Sequence, residues 1–303
     1  MSGPLQAVIA NDRGLGTAYE RWCFYQRLQA WSEEYGIETA LEGPVDGMAG
    51  VRGVHCVGLA RAGVRVTASV TSAESASVAR AVYASAAPGA NVDVRVVADV
   101  ARVDELPASD LVLVYHALPF VGDWSAYLLA LGGLARKLLI VATCNPRNWG
   151  FTAVRWLGGG PAPRVWETET LAPALWRVGR VREHVYFDAP WWPDLPVAPG
   201  QSLAHRLKQM LFVKGGLRFA PPAAGARLAD KFVYGPGRWP YFGGPGWIDE
   251  LAPALLRHPA FEGSTGAVIK RMAHLHAFVV DRRPRTPQAR RRLAIAGSGT
   301  DER

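Results

Sequence analysis

The sequence predicts an α/β protein with a mostly parallel β-sheet and helices on both of its faces. Short runs rich in β-branched residues alternate with helical segments from residue 37 to residue 145. The run LVLVYHAL at 111–118 is apolar nearly throughout, which is typical of a parallel strand that is covered on both sides. With 303 residues, of which 49% are hydrophobic and 20% charged, the chain can bury such a core.

Each element of this alternation has a local signal. Residues 17–35 place apolar and aromatic side chains at helical spacing and begin with a capping box, Thr17 and Glu20. Gly63 ends one later helix and the pair Pro88-Gly89 ends another. Strands are predicted at 37–42, 64–70, 92–99, 111–118 and 137–145, and helices at 55–63, 72–87 and 124–136.

The second half of the chain differs in composition. Residues 150–268 are rich in tryptophan, proline and glycine and show little periodicity, apart from a predicted helix at 202–214. We predict an aromatic, loop-rich insertion whose rings form a satellite core, a pocket for a planar or apolar substrate, or both. The segment MAHLHAFVVD at 272–281 alternates and predicts a last strand that returns to the sheet.

Charge and cysteine content restrict the class of protein. Residues 282–303 hold seven arginines against two acidic residues, so most of the formal net charge of +8 lies in a tail. The tail is either a solvated segment or an arm for phosphate-rich partners. Cys23, Cys56 and Cys144 form no zinc or CxxC pattern and favour a reducing compartment. Since no apolar run approaches about 18–20 residues and no secretion signal is visible, we expect a cytoplasmic protein without membrane or metal.

The main functional signal is the glycine-rich stretch EGPVDGMAGVRG at 42–53, directly after the first strand. Glycines let the backbone approach a ligand, and the following helix begins with unpaired N–H groups. Ligands of parallel sheets bind beyond the carboxyl ends of the strands. The stretch predicts a nucleotide-like ligand, against the alternative of a tight turn without one. Neither a P-loop nor the GxGxxG pattern of NAD-binding proteins is present.

From about residue 15 to 145, and again at the last strand, the chain resembles the class I S-adenosylmethionine (SAM)-dependent methyltransferases. LEGPVDGMAG at 41–50 is similar to the family's cofactor loop, with Pro44 and Asp46 at positions where the family has glycine. The resemblance implies a Rossmann-like, mostly parallel seven-stranded sheet with SAM as cofactor. It implies these cofactor-binding residues: Glu42, Gly43, Asp46, Gly47, Gly50, Thr71, Ser72, Asp99, Val100 and Tyr115.

The resemblance also implies a division of the chain. Residues 1–35 form an N-terminal helical lid and residues 36–149 the SAM-binding core. The insertion, 150–268, binds the substrate as a cap, 269–282 contain the last core strand, and the basic tail, 283–303, is predicted to be disordered.

Candidate catalytic groups follow from the same resemblance. The loop after the fourth strand faces the reacting methyl group in the family, which points to His116 as a base or orienting group, against the alternative of a structural histidine. Tyr19 on the N-terminal helix offers an aromatic face to the sulfonium. His274 and His276 are predicted to share one face of the last strand, without the further ligands that a metal needs. The predicted substrate-binding residues are Glu20, Asn145, Trp149 and Trp191.

These residues predict a SAM-dependent methyltransferase with a small-molecule acceptor. In-line methyl transfer requires the enzyme to align the nucleophile with the methyl donor and to exclude water. For an O–H or S–H nucleophile, the enzyme must also take up a proton. Two alternatives remain: an RNA- or protein-modifying enzyme that docks through the tail, and a non-catalytic SAM- or nucleotide-binding subunit of a partner enzyme. The methylated atom (O, N, S or C) and assembly as a homo-oligomer or with a partner subunit stay open.

Overall fold

The architecture is that of a computed structural model, which describes five stretches of the chain. They carry a seven-stranded sheet, the helices on its two faces and the connections between them. The described residues are 15–44, 53–97, 99–148, 167–187 and 267–283.

The sheet has the strand order β3-β2-β1-β4-β5-β7-β6. Strands β1 to β5 are parallel, and β7 runs antiparallel to both β5 and β6. This is the topology of the class I methyltransferases, so the predicted fold is confirmed. The strands are β1 (Thr39–Glu42), β2 (Arg65–Val70), β3 (Val92–Val96), β4 (Ser109–Tyr115), β5 (Ala135–Cys144), β6 (Arg180–Phe187) and β7 (Leu275–Asp281).

Helices and two 3₁₀ turns connect the strands. Ser72 and Asp123 cap the helices that follow them, since each side chain accepts a hydrogen bond from a backbone N–H of the first turn. Among the described helices, none is both long and apolar enough to cross a bilayer. The helices are α1 (Leu15–Glu34), α2 (Val57–Arg61), α3 (Ala73–Ala86), α4 (Trp124–Leu134), α5 (Thr168–Val178) and α6 (Ala267–Met272), and the 3₁₀ turns are Val100–Glu105 and Leu118–Phe120.

The sheet is buried on both faces. Leu111 and Leu113 of β4 belong to the apolar cluster under α1, α2 and α3, whereas Val112 and Val114 belong to the cluster under α4 and α5. Every residue of β4 is therefore buried, which explains the uninterrupted apolar run in the sequence.

Helix α1 is part of the core along its second half. Phe24, Leu28 and Trp31 are at most 2% exposed. Arg27 Nη2 lies 2.8 Å from Glu183 Oε2 of β6, which connects the helix to the edge of the sheet. Movement of the whole helix as a lid would expose this apolar face, so we interpret α1 as a fixed layer. Residues 1–14 of the predicted lid lie outside the described residues.

The structure corrects the predicted insertion over 168–187. Helix α5 and strand β6 lie within the range 150–268, yet β6 is the edge strand of the main sheet. Pro173 inside α5 interrupts the helical signal. The edge strand β6 is only half covered, so its sequence RVREHVYF lacks the apolar character of the inner strands. The predicted helix at 202–214 lies outside the described residues.

Candidate functional site

The sheet order reverses between β1 and β4, and the carboxyl end of β1 places Glu42 at this reversal. Glu42 is 3% exposed, and its Oε2 accepts a hydrogen bond of 3.2 Å from the backbone N–H of Cys56. Burial raises the pKa of Glu42 to about 8, although the backbone N–H groups of Cys56, His55 and Gly53 oppose the shift. The carboxyl group therefore holds the start of α2 against the end of β1.

Gly43 lies where a side chain does not fit. A Cβ at this position would lie 2.8 Å from Leu131 Cδ1 and 3.2 Å from Tyr127 Oη. Tyr127 Oη donates to Pro44 O at 2.7 Å, and the Gly43 N–H donates to Leu113 O at 2.9 Å. The chain thus leaves β1 in close contact with β4 and α4. Three predicted cofactor ligands, Asp46, Gly47 and Gly50, lie outside the described residues.

The end of β2 carries Thr71 and Ser72. Ser72 Oγ accepts a hydrogen bond of 3.1 Å from the Ser75 backbone N–H and so caps α3. Its hydroxyl group already serves the helix, whereas the half-buried Thr71 lies at the edge between β2 and α3. Both residues, which the resemblance implies as cofactor ligands, thus lie at the carboxyl end of β2.

Beyond β3, Asp99 is exposed and its backbone carbonyl accepts a hydrogen bond of 3.0 Å from Arg102. Val100 follows as the first residue of the 3₁₀ turn. Since β1, β2 and β3 are parallel neighbours, Gly43, Thr71 and Asp99 follow one another along one edge of the sheet. A backbone turn, a hydroxyl group and an exposed carboxylate in this order fit the polar groups of an adenosyl ligand.

A buried stack of rings lies between α1 and the end of β4. The His55 ring stacks on Tyr115 with centroids 4.0 Å apart, and His55 Nδ1 lies 2.8 Å from Tyr25 Oη. Burial, together with Arg21 and His116, lowers the pKa of His55 well below its usual value, so this ring is neutral. Ring contacts thus hold the Tyr115 side chain at the end of β4, and its role as a cofactor ligand stays a prediction.

His116 follows β4 with φ of 51°, a backbone conformation that costs about 1–3 kcal/mol in a residue with a side chain and is common at functional sites. Its backbone N–H donates to Ala142 O at 2.8 Å. Its Nδ1 lies 3.5 Å from Cys144 Sγ at the end of β5, and the residue is 5% exposed. A thiol is a weak donor, so this contact favours a His116 ring with its proton on Nε2.

Glu20 of α1 and His274 form a buried pair at the same edge. Glu20 Oε2 lies 2.6 Å from His274 Nδ1, and the side chains are 3% and 8% exposed. His274 directly precedes β7, whose first residue, Leu275, pairs with Cys144 at the carboxyl end of β5. The pair therefore lies at the edge where the parallel strands have their carboxyl ends.

The prediction that His274 and His276 share a face is wrong. His276 Nδ1 lies 3.0 Å from His184 Nε2, and its ring contacts Phe278 in the apolar cluster of the opposite face. The alternation fails because His274 precedes the strand and turns toward Glu20 on α1. Among the described residues, no group of three or more His, Cys, Asp or Glu side chains is arranged to hold a metal ion.

Asn145, a predicted substrate ligand, fixes the entry to β7. Its Nδ2 donates to Lys270 O and Ala273 O at 2.8 and 2.7 Å, and its Oδ1 accepts from Arg147 N at 3.1 Å. Both ends of the amide are engaged within the protein, so we assign Asn145 a structural function.

The site combines predicted and unexpected residues. The predicted residues Glu20, Glu42, Tyr115 and His116 lie at the carboxyl edge of the sheet with four residues that sequence reasoning missed and with His274, which it considered only as a metal ligand. The sequence offers little reason to select them. His55 and Cys56 stand after the glycine-rich stretch without forming a motif, and Arg21 is one of several polar residues on a predicted helix. Tyr19 lies on α1, and Trp149 and Trp191 lie outside the described residues. The missed residues are Arg21, Tyr25, His55 and Cys144.

Comparison with known proteins finds no matching family model and no matching curated protein. Among solved structures, magnesium protoporphyrin IX methyltransferase from Synechocystis PCC 6803 with bound SAH matches at 20% identity, 57% of this chain, 80% of that chain and a TM-score of 0.46. A SAM-dependent methyltransferase from Archaeoglobus fulgidus matches at 12% identity, 86% of this chain, 94% of that chain and a TM-score of 0.43. The cyclase SpnF matches at 14% identity, 86% and 82% coverage and a TM-score of 0.46.

Proposed function

We propose that this chain is a SAM-dependent methyltransferase that acts on a small molecule. The observation that carries the proposal is the meeting of Gly43, Tyr115 and His116 at the point where the strand order reverses. Open α/β sheets bind ligands at this point, and the fold is that of methyltransferases. The buried polar residues beside it are typical of a reaction site rather than of a simple core.

The cofactor would lie along the edge from Gly43 to Asp99. The turn after Gly43 would contact its amino-acid part, Thr71 its ribose and Asp99 its adenine. When bound, SAM supplies a methyl group on a positively charged sulfur that leaves as a neutral thioether.

The chain itself has to align the acceptor and exclude water. Tyr115 and His116 are both nearly buried at the end of β4, where the acceptor would meet the methyl group. With its proton on Nε2, His116 would donate a hydrogen bond that orients the acceptor atom.

Titration calorimetry with SAM and with its demethylated product, S-adenosylhomocysteine (SAH), tests the proposal. We expect binding of both ligands, and we expect Asp99→Asn to weaken the affinity for SAH about tenfold, because an ionised hydrogen-bond acceptor is lost. The matched control is Asp93→Asn, an exposed aspartate of β3 that pairs with Arg95. If the folded protein binds neither ligand, the proposal is wrong.

A non-catalytic SAM- or nucleotide-binding subunit is the second candidate. It is favoured by Ser72, which caps α3, and by Glu42, whose carboxyl group is occupied by backbone N–H groups. Binding of SAM without SAH formation, across phenol, thiol and amine acceptors, would support it. The tail that an RNA- or protein-modifying enzyme would use for docking lies outside the described residues.

A further inference from the structure

The amino edge of the sheet lies opposite to the proposed cofactor site and carries many basic side chains. There the starts of β5 and β6 lie on either side of the end of β7, because Leu138 and Arg180 both pair with Asp281. The proposed cofactor contacts lie beyond the carboxyl ends of the parallel strands, so the proposed function does not use the amino edge.

Positive charge is concentrated where β5, β6 and β7 meet. The three stretches of chain at this point hold seven basic residues and one acidic residue, and they are 135–137, 177–182 and 281–283. Other acidic side chains of the amino edge lie to one side, at Glu38 before β1 and at Asp110 of β4, which pairs with Lys137 at 3.1 Å. The neighbouring strands of the sheet thus differ in charge.

Six of these seven basic residues are arginines, and five of the arginines are exposed. They are Arg136, Arg177, Arg180, Arg182 and Arg283. A guanidinium group can bind two phosphate oxygens through parallel N–H donors, and it also stacks on flat rings. The five side chains therefore offer a set of phosphate contacts on one surface.

An exposed indole lies next to these arginines. The Trp176 side chain is 67% exposed, the largest fraction among the large apolar side chains in the part of the chain that the structure describes. Trp176 directly precedes Arg177 and lies four positions before Arg180, where α5 ends and β6 begins. A flat ring beside guanidinium groups is the arrangement on which an unpaired base stacks. Trp176 and the five exposed arginines together form the amino-edge surface.

Arg282 fixes the point from which the arginine-rich tail continues. Its side chain donates to the carbonyls of Ala135 and Val178, which holds the end of β7 against β5 and α5. From there the chain goes on with four further arginines in residues 284–292. The charge of this segment is therefore tethered beside the amino-edge surface.

We propose that the amino-edge surface binds single-stranded RNA. Its arginines contact phosphate groups, and the indole of Trp176 stacks on a base. Because the surface lies at the edge opposite to Gly43 and His116, the RNA is a docking partner and not the methyl acceptor. The inference thus goes beyond the proposed function and does not depend on it.

The exposed indole favours RNA over two other anionic partners. Duplex DNA keeps its bases within the stack, whereas loops and ends of RNA offer unpaired bases to an aromatic side chain. A membrane is entered by several apolar side chains together. Of the described residues, the other large apolar side chains that are exposed are Val96 at the end of β3 and Phe120 after β4, both at the opposite edge.

Fluorescence anisotropy of the full chain with a labelled, unstructured RNA of about 12 nucleotides tests the proposal. We expect Arg180→Gln/Arg182→Gln to weaken binding about tenfold. The slope of log K against log salt should fall by about 1.4, because each phosphate contact on a single strand contributes about 0.7. The control is Arg80→Gln/Arg95→Gln, which removes two exposed arginines of α3 and β3 and should change the affinity less than about twofold.

Trp176→Ala separates stacking from charge. We expect it to weaken RNA binding about tenfold without changing the salt slope, because the stacked ring carries no charge. Trp176→Phe keeps a ring and should keep most of the affinity. Phe120→Ala, which removes an exposed ring at the opposite edge, is the matched control and should bind RNA like the wild type.

Four results would overturn the inference. They are a wild-type Kd weaker than about 100 μM at physiological salt, an RNA affinity that Trp176→Ala leaves unchanged, equal affinity for duplex DNA of the same length, and tighter binding to phosphatidylserine vesicles than to RNA. Titration of the same variants with SAH keeps the two proposals apart. Variants that lose RNA but bind SAH like the wild type would support the amino-edge surface, and a chain that binds RNA but no SAH would contradict only the proposed function.

Discussion

At the scale of residues, two buried carboxyl groups at one edge of the sheet differ in their partners. Glu42 meets backbone N–H groups of the chain that returns from the glycine-rich stretch, and Glu20 meets an imidazole. The first contact holds the backbone, while the second sets the proton of a titratable ring. Residue type alone could not have separated these roles, since both are glutamates next to predicted ligand sites.

Glu42 predicts a dependence of stability on pH. Its pKa of about 8 in the folded protein lies above the ordinary value of 4.5. Between these values the unfolded chain loses the proton and the folded chain keeps it, so the contribution of Glu42 to stability is full below pH 4.5 and declines as pH rises to 8. Glutamine does not titrate, so we expect Glu42→Gln to remove this decline in the free energy of unfolding, which amounts to at most roughly 4 kcal/mol between pH 4.5 and pH 8.

Urea unfolding of both proteins at pH 5, 6, 7 and 8 measures the effect. Glu74→Gln, an exposed change in the first turn of α3, is the control and should keep the wild-type slope. Parallel pH profiles for wild type and Glu42→Gln would show that Glu42 titrates normally in the folded state.

At the scale of elements, hydrogen bonds to the chain just before β7 hold this strand in the sheet. The chain before β7 is anchored by Asn145 and Asn148, which both donate to Ala273 O. These hydrogen bonds lie directly after β5, so they hold β5 and the antiparallel β7 together at the carboxyl edge of the sheet. The Asn145 backbone N–H also donates to His274 O at 2.8 Å, and substrate binding by Asn145 stays a prediction.

Removal of the Asn145 side chain should destabilise the protein. Asn145→Ala removes the side-chain donor to Lys270 O and leaves Ala273 O with the Asn148 donor alone, which costs about 1–3 kcal/mol. Hydrogen exchange should rise in β7 before it rises in β4. The control is Asn91→Ala, an exposed asparagine whose change should stay within about 0.5 kcal/mol. Equal free energies of unfolding for Asn145→Ala and Asn91→Ala would show that the Asn145 side chain does not hold the chain before β7.

At the scale of the whole molecule, the sheet is the centre of two apolar layers. The helices α1, α2 and α3 cover one face and α4 and α5 cover the other, so the parallel strands have no solvated side. The three cysteines of the chain are distributed over this core, and all are buried without forming a disulfide.

The burial of the cysteines predicts their reactivity. Cys23, Cys56 and Cys144 are at most 6% exposed, and burial raises the pKa of Cys56 well above its usual value. A disulfide reagent reacts with a thiolate that it can reach from solvent. We therefore expect it to modify these cysteines only as fast as the native protein unfolds. Rates that follow urea-induced unfolding would agree, whereas stoichiometric reaction within seconds in buffer would not.

Local patterns determined most of the fold from the sequence. Apolar runs, helical spacing and glycine turns are short-range features, so β1 to β5, β7 and the helices α1 to α4 could be predicted. The edge strand β6 could not, because half-covered strands share the composition of loops. The positions of Glu42, Tyr115 and His116 at strand ends followed from the same alternation.

Only the tertiary structure decided which side chains meet. Glu20 and His274 are 254 residues apart, and their contact depends on α1 lying over the start of a strand that inserts between β5 and β6. Likewise, His276 turns to His184 rather than to the side of His274. Such contacts are set by packing between distant segments, which no local sequence period encodes.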